Sequence, residues 1–274
     1  MQKIGAIGNL NRQKLHLKGI SGSTLKLIAV CSMLVDHIGG AVLLRVLIQR
    51  GAMETVGEQA FQAFLEINSG VYYTYQILRA VGRMAFPIFC FLLVQGFLHT
   101  HNLKKYLGRL FLFALISEVP FDLAFSGNFF YWYNQNVCFT LFLGVLTLAG
   151  IRMVEEKKKW HIAWRILCEL LCVGLGAGAA TLLCTEYDLF GILVIVAFYF
   201  LRGNTILSVG TSCMVLCVQG RMAVPSFASL LPIYLYNGKR GSNIKWSFYL
   251  FYPIHILLLY LLACALGLGN INML

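Results

Sequence analysis

Long runs of apolar residues follow one another along this chain, separated by short polar connections. The runs are about 18 to 25 residues long, the length that a helix needs to cross a hydrocarbon core of about 30 Å. We therefore predict an all-α fold, a polytopic bundle of about nine transmembrane helices, with a range of eight to ten. The predicted spans are 24–48, 74–98, 107–125, 137–153, 162–180, 189–201, 205–218, 225–236 and 247–268. The sixth to eighth are short, so the region 180–245 defines the number of spans least well.

The composition excludes an ordinary soluble domain. Hydrophobic residues make up 59% of the 274 positions and charged residues only 12%, and the mean hydropathy is +0.74. These values lie far from the averages of soluble proteins. We expect a single integral-membrane domain over 1–274, with lipid as its solvent. No charged start, apolar core and cleavage site precedes the first run, which predicts that the first helix is retained.

The net charge of +11 is explained by topology and does not call for a nucleic-acid partner. Cationic side chains gather in alternate connections, at Lys3, Arg12, Lys14, Lys18, Lys104, Lys105, Arg109, Arg152, Lys157–Lys159, Arg202, Lys239, Arg240 and Lys245. The positive-inside rule places these connections and the N-terminus in the cytoplasm, as in a multi-pass protein of the inner (cytoplasmic) membrane. The connection 127–136 (GNFFYWYNQN) is aromatic and uncharged, as expected of the outer surface. The amphipathic segment Val56–Ile67 is a second candidate for that surface.

Ionisable side chains at membrane depth are costly, so those present are candidates for function. Lys26 and His37 are eleven residues apart, which returns them to one helix face about 16 Å apart along the axis. They would line one cavity wall, Lys26 near the cytoplasmic mouth and His37 near the midplane as a general base. Asp36 points about 100° away, towards another helix. Two structural interpretations stay open: Lys26 snorkels to the interface, or His37 is a neutral histidine hydrogen-bonded between helices.

Two further pairs have helical spacing. Arg79 and Arg83 are four residues apart in span two, and Glu118 and Asp122 are four apart in span three. Two cations and two carboxylates on neighbouring helices predict an internal ion-pair network. Such a network would be structural, or Arg79 and Arg83 would face a substrate.

A cationic cluster follows span two in the sequence GFLHTHNLKKYLGR, and it consists of His99, His101, Lys104, Lys105 and Arg109. At the cytoplasmic end of a helix, these side chains could hold the phosphates of a nucleotide-type cofactor. Positive-inside anchoring explains them equally well. HxH alone is too short to predict a metal site.

Two polar residues near helix ends have ordinary structural explanations beside the functional ones. His255 follows a proline in the last span and could bond to a backbone carbonyl, and Asn136 could cap the fourth span. The nine cysteines contain no CxxC pair, so we expect neither disulfides nor a metal site.

Five segments together resemble the TraX family, which is named for an F-pilin acetylase. They are LKLIAVCSMLVDHIGG (25–40), LRAVGRMAFPIFCFLLVQGFLHTHNLKKYLGRL (78–110), ISEVPFDLAF (116–125), NVCFTLFLGVLTL (136–148) and YPIHILLLYLL (252–262). Their order matches the family, and with the connecting spans they cover most of the chain.

The resemblance implies acetyl transfer from cytoplasmic acetyl-CoA to an amine or hydroxyl acceptor, such as a pilin N-terminus, an envelope glycan or a small amine. The family is distantly similar to membrane acyltransferase type three proteins, which carry a basic residue and a histidine at the spacing of Lys26 and His37. Lysine here replaces the usual arginine and offers a point charge instead of a planar fork.

The implied catalytic centre is His37, as the base, with its neighbour Asp36. The implied cofactor-binding residues are Lys26, Arg83, His99, His101, Lys104, Lys105 and Arg109. The implied substrate or structural network consists of Arg79, Glu118, Asp122, Asn136 and His255. No nucleophile elbow is present, which favours direct transfer, although Cys31 and Ser32 are near His37 in sequence.

Two other classes of function remain open. A small proton-coupled transporter or exporter would also carry intramembrane Arg, Asp, Glu and His, but we find no internal repeat of the kind common in transporters. A noncatalytic membrane partner would use its buried charges for packing alone. The expected partners are membrane lipids, acetyl-CoA and an acceptor, with no metal.

Overall fold

The computed structural model describes residues 19–242, 245–271 and 273, and within these residues the regular elements are helices. This confirms the predicted all-α polytopic bundle. The predicted cations Lys3, Arg12, Lys14 and Lys18 lie outside the described residues.

The α-helices are α1 (Gly22–Ile38), α2 (Leu44–Gln49), α3 (Glu58–Gly82), α4 (Ala85–His99), α5 (Leu103–Phe125), α6 (Val137–Glu155), α7 (Ile162–Leu182), α8 (Asp188–Phe200), α9 (Thr205–Gln219), α10 (Leu230–Tyr234) and α11 (Lys245–Ala265). A π-helical turn, Gly39–Leu43, joins α1 to α2 without a break, and 3₁₀ segments cover Ala52–Glu54 and Arg221–Ser229. Within the described residues, five stretches are long and apolar enough to span a membrane: Gly22–Gln49, Glu58–His99, Val137–Glu155, Ile162–Leu182 and Phe248–Ala265.

Polar side chains fix the starts of several helices. Asn102 accepts a hydrogen bond from the Lys105 amide at 2.9 Å and thereby caps α5. Asn136 accepts one from the Cys138 amide at 3.0 Å, which confirms its predicted role as the cap of α6. Amides in the first turn of a helix have no intrahelical acceptor, so each cap satisfies a donor that would otherwise have no partner within its helix.

The second predicted span is longer and less regular than expected. Instead of a separate surface segment at Val56–Ile67, the chain enters α3 at Glu58, and α3 then ends at Gly82. The break leaves the Val81 and Gly82 carbonyls without helical partners, and the Ser32 hydroxyl donates to them at 2.7 and 3.3 Å. Pro87, in the first turn of α4, is tolerated there because that turn needs no amide donor.

The eighth predicted span, 225–236, is not a regular α-helix. The 3₁₀ segment Arg221–Ser229 contains Pro225, and the five-residue α10 that follows contains Pro232. Proline has no amide hydrogen and clashes with the preceding turn, so two prolines seven residues apart prevent a continuous helix.

The core is centred on α4, which buries eight of its side chains against its neighbours. In contrast, α7 buries only Ala180 and lies at the periphery. A second apolar cluster joins α1, α5 and α11 through residues such as Met33, Phe121 and Ile256. This second cluster surrounds the site described below.

Candidate functional site

A cavity of about 390 Å³ lies at one end of the bundle. It is lined by Asp36, His37, Gly40, Leu44, Tyr75, Arg79, Arg83, Phe121, Phe125, Asn134, Glu186, Tyr187, Leu216, Gln219, Gly220, Ala223, Ser226 and Met273. Helices α5 and α9 reach it with their C-terminal turns, and α1 reaches it just before the π-helical turn. The cavity therefore lies at the opposite end of α5 from the cationic cluster, a helix length of about 30 Å away.

His37 owes its position to the last turn of α1 and to the two glycines that follow. The chain widens into the π-helical turn at Gly39, an irregularity that is often found at functional sites. A side chain at Gly40 would crowd Arg79 and the Phe125 ring at 3.0 Å, so glycine is what lets α3 and α5 come this close. His37 is only 5% exposed.

The nearest polar partner of His37 comes from the other end of the chain. His37 Nδ1 lies 2.7 Å from His255 Nε2, and the two ring planes are parallel to within 1°. His255 Nδ1 in turn lies 2.6 Å from the carbonyl oxygen of Phe251, one turn earlier on α11. Phe125 and Tyr252 present ring edges to His37 at centroid distances of 5.2 and 6.0 Å. His255 thus bonds to a carbonyl, as one interpretation of the sequence had it, and also to His37.

Asp36 pairs with Arg79, not with a group on α5. Arg79 Nη1 lies 2.5 Å from Asp36 Oδ2, which confirms that Asp36 turns towards another helix. The predicted network between the two arginines and the two carboxylates of α5 is therefore wrong: among the described residues, this is the one ion pair within 4 Å. Arg83 lines the same cavity, and its Nε is buried without a hydrogen-bond partner in the described part of the chain.

Glu118 and Asp122 bond to backbone and amide groups around the connection 127–136 instead. The Asn136 side-chain amide donates to Glu118 and also to the Ala114 carbonyl at 2.8 Å. Asp122 Oδ2 accepts from the Tyr131 amide at 2.8 Å. These contacts tie the end of α5 to the start of α6, which is a structural role and involves neither Arg79 nor Arg83.

Glu186 and Tyr187 are cavity residues that the sequence did not single out. They lie in the turn between α7 and α8, and Tyr187 stacks on the Phe86 ring at a centroid distance of 3.5 Å. Burial raises the pKa of Glu186 to about 7, a shift that the nearby Asp36 carboxylate reinforces and that attraction to Arg79 and Arg83 partly offsets. No local pattern predicts these residues, because the turn is brought to the cavity by the packing of α8 against α4 and α6.

The predicted cofactor-binding cluster lies away from this cavity. None of His99, His101, Lys104, Lys105 and Arg109 is among the described residues that line it. His99 bonds to the Gln95 carbonyl at 2.8 Å, and Arg109 lies over the Tyr106 ring at 5.9 Å.

Lys26 is also absent from the cavity lining. Its ammonium lies 5.6 Å from the centre of the Phe248 ring on α11. The expectation of one open cavity wall from Lys26 to His37 is therefore not met in the described residues, although both side chains lie where α1 packs on α11.

Several helices long and apolar enough to span a membrane, with a buried histidine pair at a charged cavity, define a multi-pass membrane protein with a polar centre. Within that class, the chain belongs to the TraX family, described as "TraX protein", which matches residues 21–263. It is 30% identical over 258 residues to a "Probable fimbrial assembly protein FimC, serogroup H1" of Dichelobacter nodosus, an alignment that covers 87% of this chain and 94% of that protein. No solved structure matches the chain.

Proposed function

We propose that the chain is an acetyltransferase of the inner membrane that moves an acetyl group from acetyl-CoA to an amine or hydroxyl acceptor, with His37 as the base. The observation that carries the proposal is His37, 5% exposed, on the wall of a cavity of about 390 Å³ that also holds Arg79 and Arg83. A neutral imidazole can take the proton of the attacking group, and a guanidinium can stabilise the negative charge that develops on the acyl oxygen.

The surroundings of His37 favour direct transfer over an acyl-enzyme. Cys31 is exposed on the helix surface, and the Ser32 hydroxyl donates to the Val81 carbonyl. Neither side chain is among the described residues of the cavity lining. With neither Cys31 nor Ser32 in that lining, the acceptor itself would attack the thioester.

The two substrates would approach from opposite ends. Lys26 and Arg109 lie at the end of the bundle that we predict to be cytoplasmic, where they would hold the phosphates of acetyl-CoA. The acyl arm would then follow the contact between α1 and α11 towards His37, about 16 Å along the axis. The acceptor would enter the cavity from the outer end. Because a similar protein is named for fimbrial assembly, the N-terminus of a pilin-type subunit is the first acceptor to test.

The proposal is tested with the purified full-length protein, labelled acetyl-CoA and a peptide with a pilin-type N-terminus. We expect His37→Gln to lower kcat by about 10²- to 10⁴-fold, the usual contribution of a general base, with acetyl-CoA binding retained. His161→Asn is the matched control, because His161 is an exposed cap of α7 and asparagine preserves the cap. Undiminished transfer in His37→Gln would refute the choice of base.

Binding tests the other end of the proposed path. Lys26→Met should weaken saturable binding of acetyl-CoA, whereas Lys159→Met, which changes an exposed lysine in the connection between α6 and α7, should leave it unchanged. If the folded wild-type protein binds no acetyl-CoA at all, the acetyltransferase proposal fails.

One observation favours a second candidate, a proton-coupled transporter. The Asp36–Arg79 ion pair and Glu186 lie in a cavity at one end of the bundle, and carboxylates near arginines serve as proton carriers in transporters. A transporter would show substrate counterflow in vesicles without consuming acetyl-CoA.

A further inference from the structure

The hydrogen bonds of the two buried histidines define which ring nitrogens carry protons. A carbonyl oxygen can only accept, so the 2.6 Å contact with the Phe251 oxygen requires a hydrogen on His255 Nδ1. In the neutral ring, His255 Nε2 then has a lone pair and no hydrogen. The 2.7 Å contact therefore requires a hydrogen on His37 Nδ1, which leaves the lone pair of His37 on Nε2.

We propose that His255 is a positioning residue that holds His37 with its Nε2 lone pair available at the cavity and that shares the proton which His37 takes up. The catalytic consequence rests on the proposed function, whereas the tautomers and the shared proton are properties of the resting protein. Sequence position gives no hint of this pair, because the two residues are separated by 218 positions.

The packing around the pair leaves the rings little freedom to rotate. His37 and His255 are each 5% exposed, and the Phe251 ring stacks on His255 at a centroid distance of 4.4 Å. Phe125 closes the other side of His37. A ring that cannot flip keeps one tautomer, since the wrong tautomer would place two donors or two lone pairs opposite each other.

The charged groups that face the pair are those of the cavity. On α1, Asp36 is adjacent to His37 and is neutralised by Arg79 of α3. Arg83 follows α3, and Glu186 comes from the turn before α8. From α11 and α5 the neighbours of the pair are aromatic, so in the described part of the chain no carboxylate in contact with the rings competes for the added proton.

One proton crosses the histidine pair and returns during the proposed transfer. The acceptor amine attacks the thioester carbonyl, a carbon–nitrogen bond forms, and the amine proton moves to His37 Nε2. The Nδ1 proton of His37 moves to His255 Nε2, so that the positive charge resides on a ring whose Nδ1–H already donates to a carbonyl. When the carbon–sulfur bond breaks, both transfers reverse and His37 Nε2 returns the proton to the thiolate.

Nitrogen NMR of the full-length protein labelled with ¹⁵N-histidine tests the resting state without any activity. The chain has six histidines, and the spectra of His37→Gln and His255→Gln assign the signals. We expect Nδ1 of both residues to be of the protonated type, with coupling between His37 Nδ1 and His255 Nε2 across the hydrogen bond. On acidification, both rings should titrate together as one unit. A hydrogen on His37 Nε2, or independent titration of the two rings, would overturn the proposal.

Two substitutions of His255 separate orientation from proton sharing. Glutamine can accept the His37 Nδ1–H through its side-chain oxygen but cannot take up a proton, whereas phenylalanine preserves the ring volume and removes the acceptor. We expect His255→Phe to lower kcat by about 100-fold and His255→Gln by about tenfold, with KM nearly unchanged and with the His37 tautomer retained only in His255→Gln. Wild-type kcat in either folded variant would overturn the proposal. If the wild type shows the expected spectra but transfers no acetyl group, the proposed function fails and the histidine pair stands.

Discussion

Individual charged residues in the cavity are arranged so that each cation has a carboxylate nearby. Arg79 binds Asp36 directly, and Glu186 lies in the field of both Arg79 and Arg83. In a medium of low polarity an isolated charge is very costly, and a neighbour of opposite sign recovers part of that cost. Glu186 makes no ion pair within 4 Å among the described residues. Of these four charged side chains, we therefore expect Glu186 to have the charge that depends most on pH near neutrality.

Replacing Glu186 by glutamine should change how stability depends on pH. The folded-state pKa is about 7 and the ordinary value is 4.5, so the folded protein holds this proton more tightly than the unfolded chain. The ionised carboxylate therefore destabilises the wild type above pH 7, and lowering the pH from 7 to 4.5 removes that cost. We expect Glu186→Gln to be more stable than the wild type at pH 8, by at most about 3 kcal/mol. The difference should vanish near pH 4.5.

Thermal melting in detergent at several pH values measures this effect. Glu66→Gln serves as the control because Glu66 is exposed on α3. The prediction is contradicted if the difference in melting temperature between the wild type and Glu186→Gln stays constant from pH 8 to pH 4.5. Such a result would show that Glu186 does not titrate in this range.

Between elements, the closest approach at the site is that of α1 and α3. A β-carbon at Gly82 would overlap the β-carbon and carboxylate of Asp36. The backbone-proximal part of a side chain cannot move aside cheaply, so α3 would have to retreat. The ion pair that joins the helices at Arg79 depends on this contact.

Gly82→Ala should therefore destabilise the protein and weaken the site, whereas Gly70→Ala on the same helix should not. Gly70 has no atom within 4 Å of an added β-carbon. We expect a cost of about 1–3 kcal/mol for Gly82→Ala, typical of overpacking, and a slight gain of up to about 1 kcal/mol for Gly70→Ala from helix propensity. Melting temperatures measure the change in stability, and the reaction of the cavity arginines with a water-soluble arginine reagent measures the change at the site. Equal stability of the two variants would mean that α1 and α3 are not held this closely.

The elements that the sequence predicted well are those whose cause is local. Runs of apolar residues specify transmembrane helices wherever no competing signal interrupts them, and Asn136 caps α6 because a cap needs only the next two residues. The prediction failed where tertiary contacts decide. The carbonyls freed at the break after Gly82 are satisfied by Ser32, fifty residues away, and no local pattern contains that information.

Local and tertiary causes also decide which features of the candidate site the sequence could predict. Helical periodicity correctly separated Asp36 from His37 by direction, but it could not name their partners. The predicted pairing of Arg79 and Arg83 with carboxylates on the next predicted helix rested on opposite charge alone. The hydrogen-bonded partner of His37 is on α11, and it is found only when the last helix is placed against the first.

For the whole molecule, Arg45 connects the end of the chain to the helices of the site. It is fully buried and donates to two groups of carbonyls. Nη1 lies 3.0 to 3.3 Å from those of Leu268, Gly269 and Ile271, which follow α11. Nη2 lies 2.8 and 3.2 Å from those of Leu123 and Ala124, in the last turn of α5. The carbonyls at the end of a helix have no intrahelical donor, and the planar fork of one guanidinium satisfies both groups.

Arg45→Met should consequently lower the stability of the whole bundle by about 3 kcal/mol, because it leaves buried carbonyls without donors. Methionine has a similar length and is apolar, so the change isolates the hydrogen bonds. Arg50→Met is the control: Arg50 is exposed and donates to Asn68 at 3.2 Å, and we expect a loss of less than about 1 kcal/mol. Melting in detergent measures stability, and proteolysis after Ala265 measures release of the chain end, which we expect in Arg45→Met alone. If Arg45→Met melts at the same temperature as Arg50→Met and the segment after Ala265 stays protected from proteolysis, water or lipid satisfies these carbonyls. Arg45 would then not join that segment to α5.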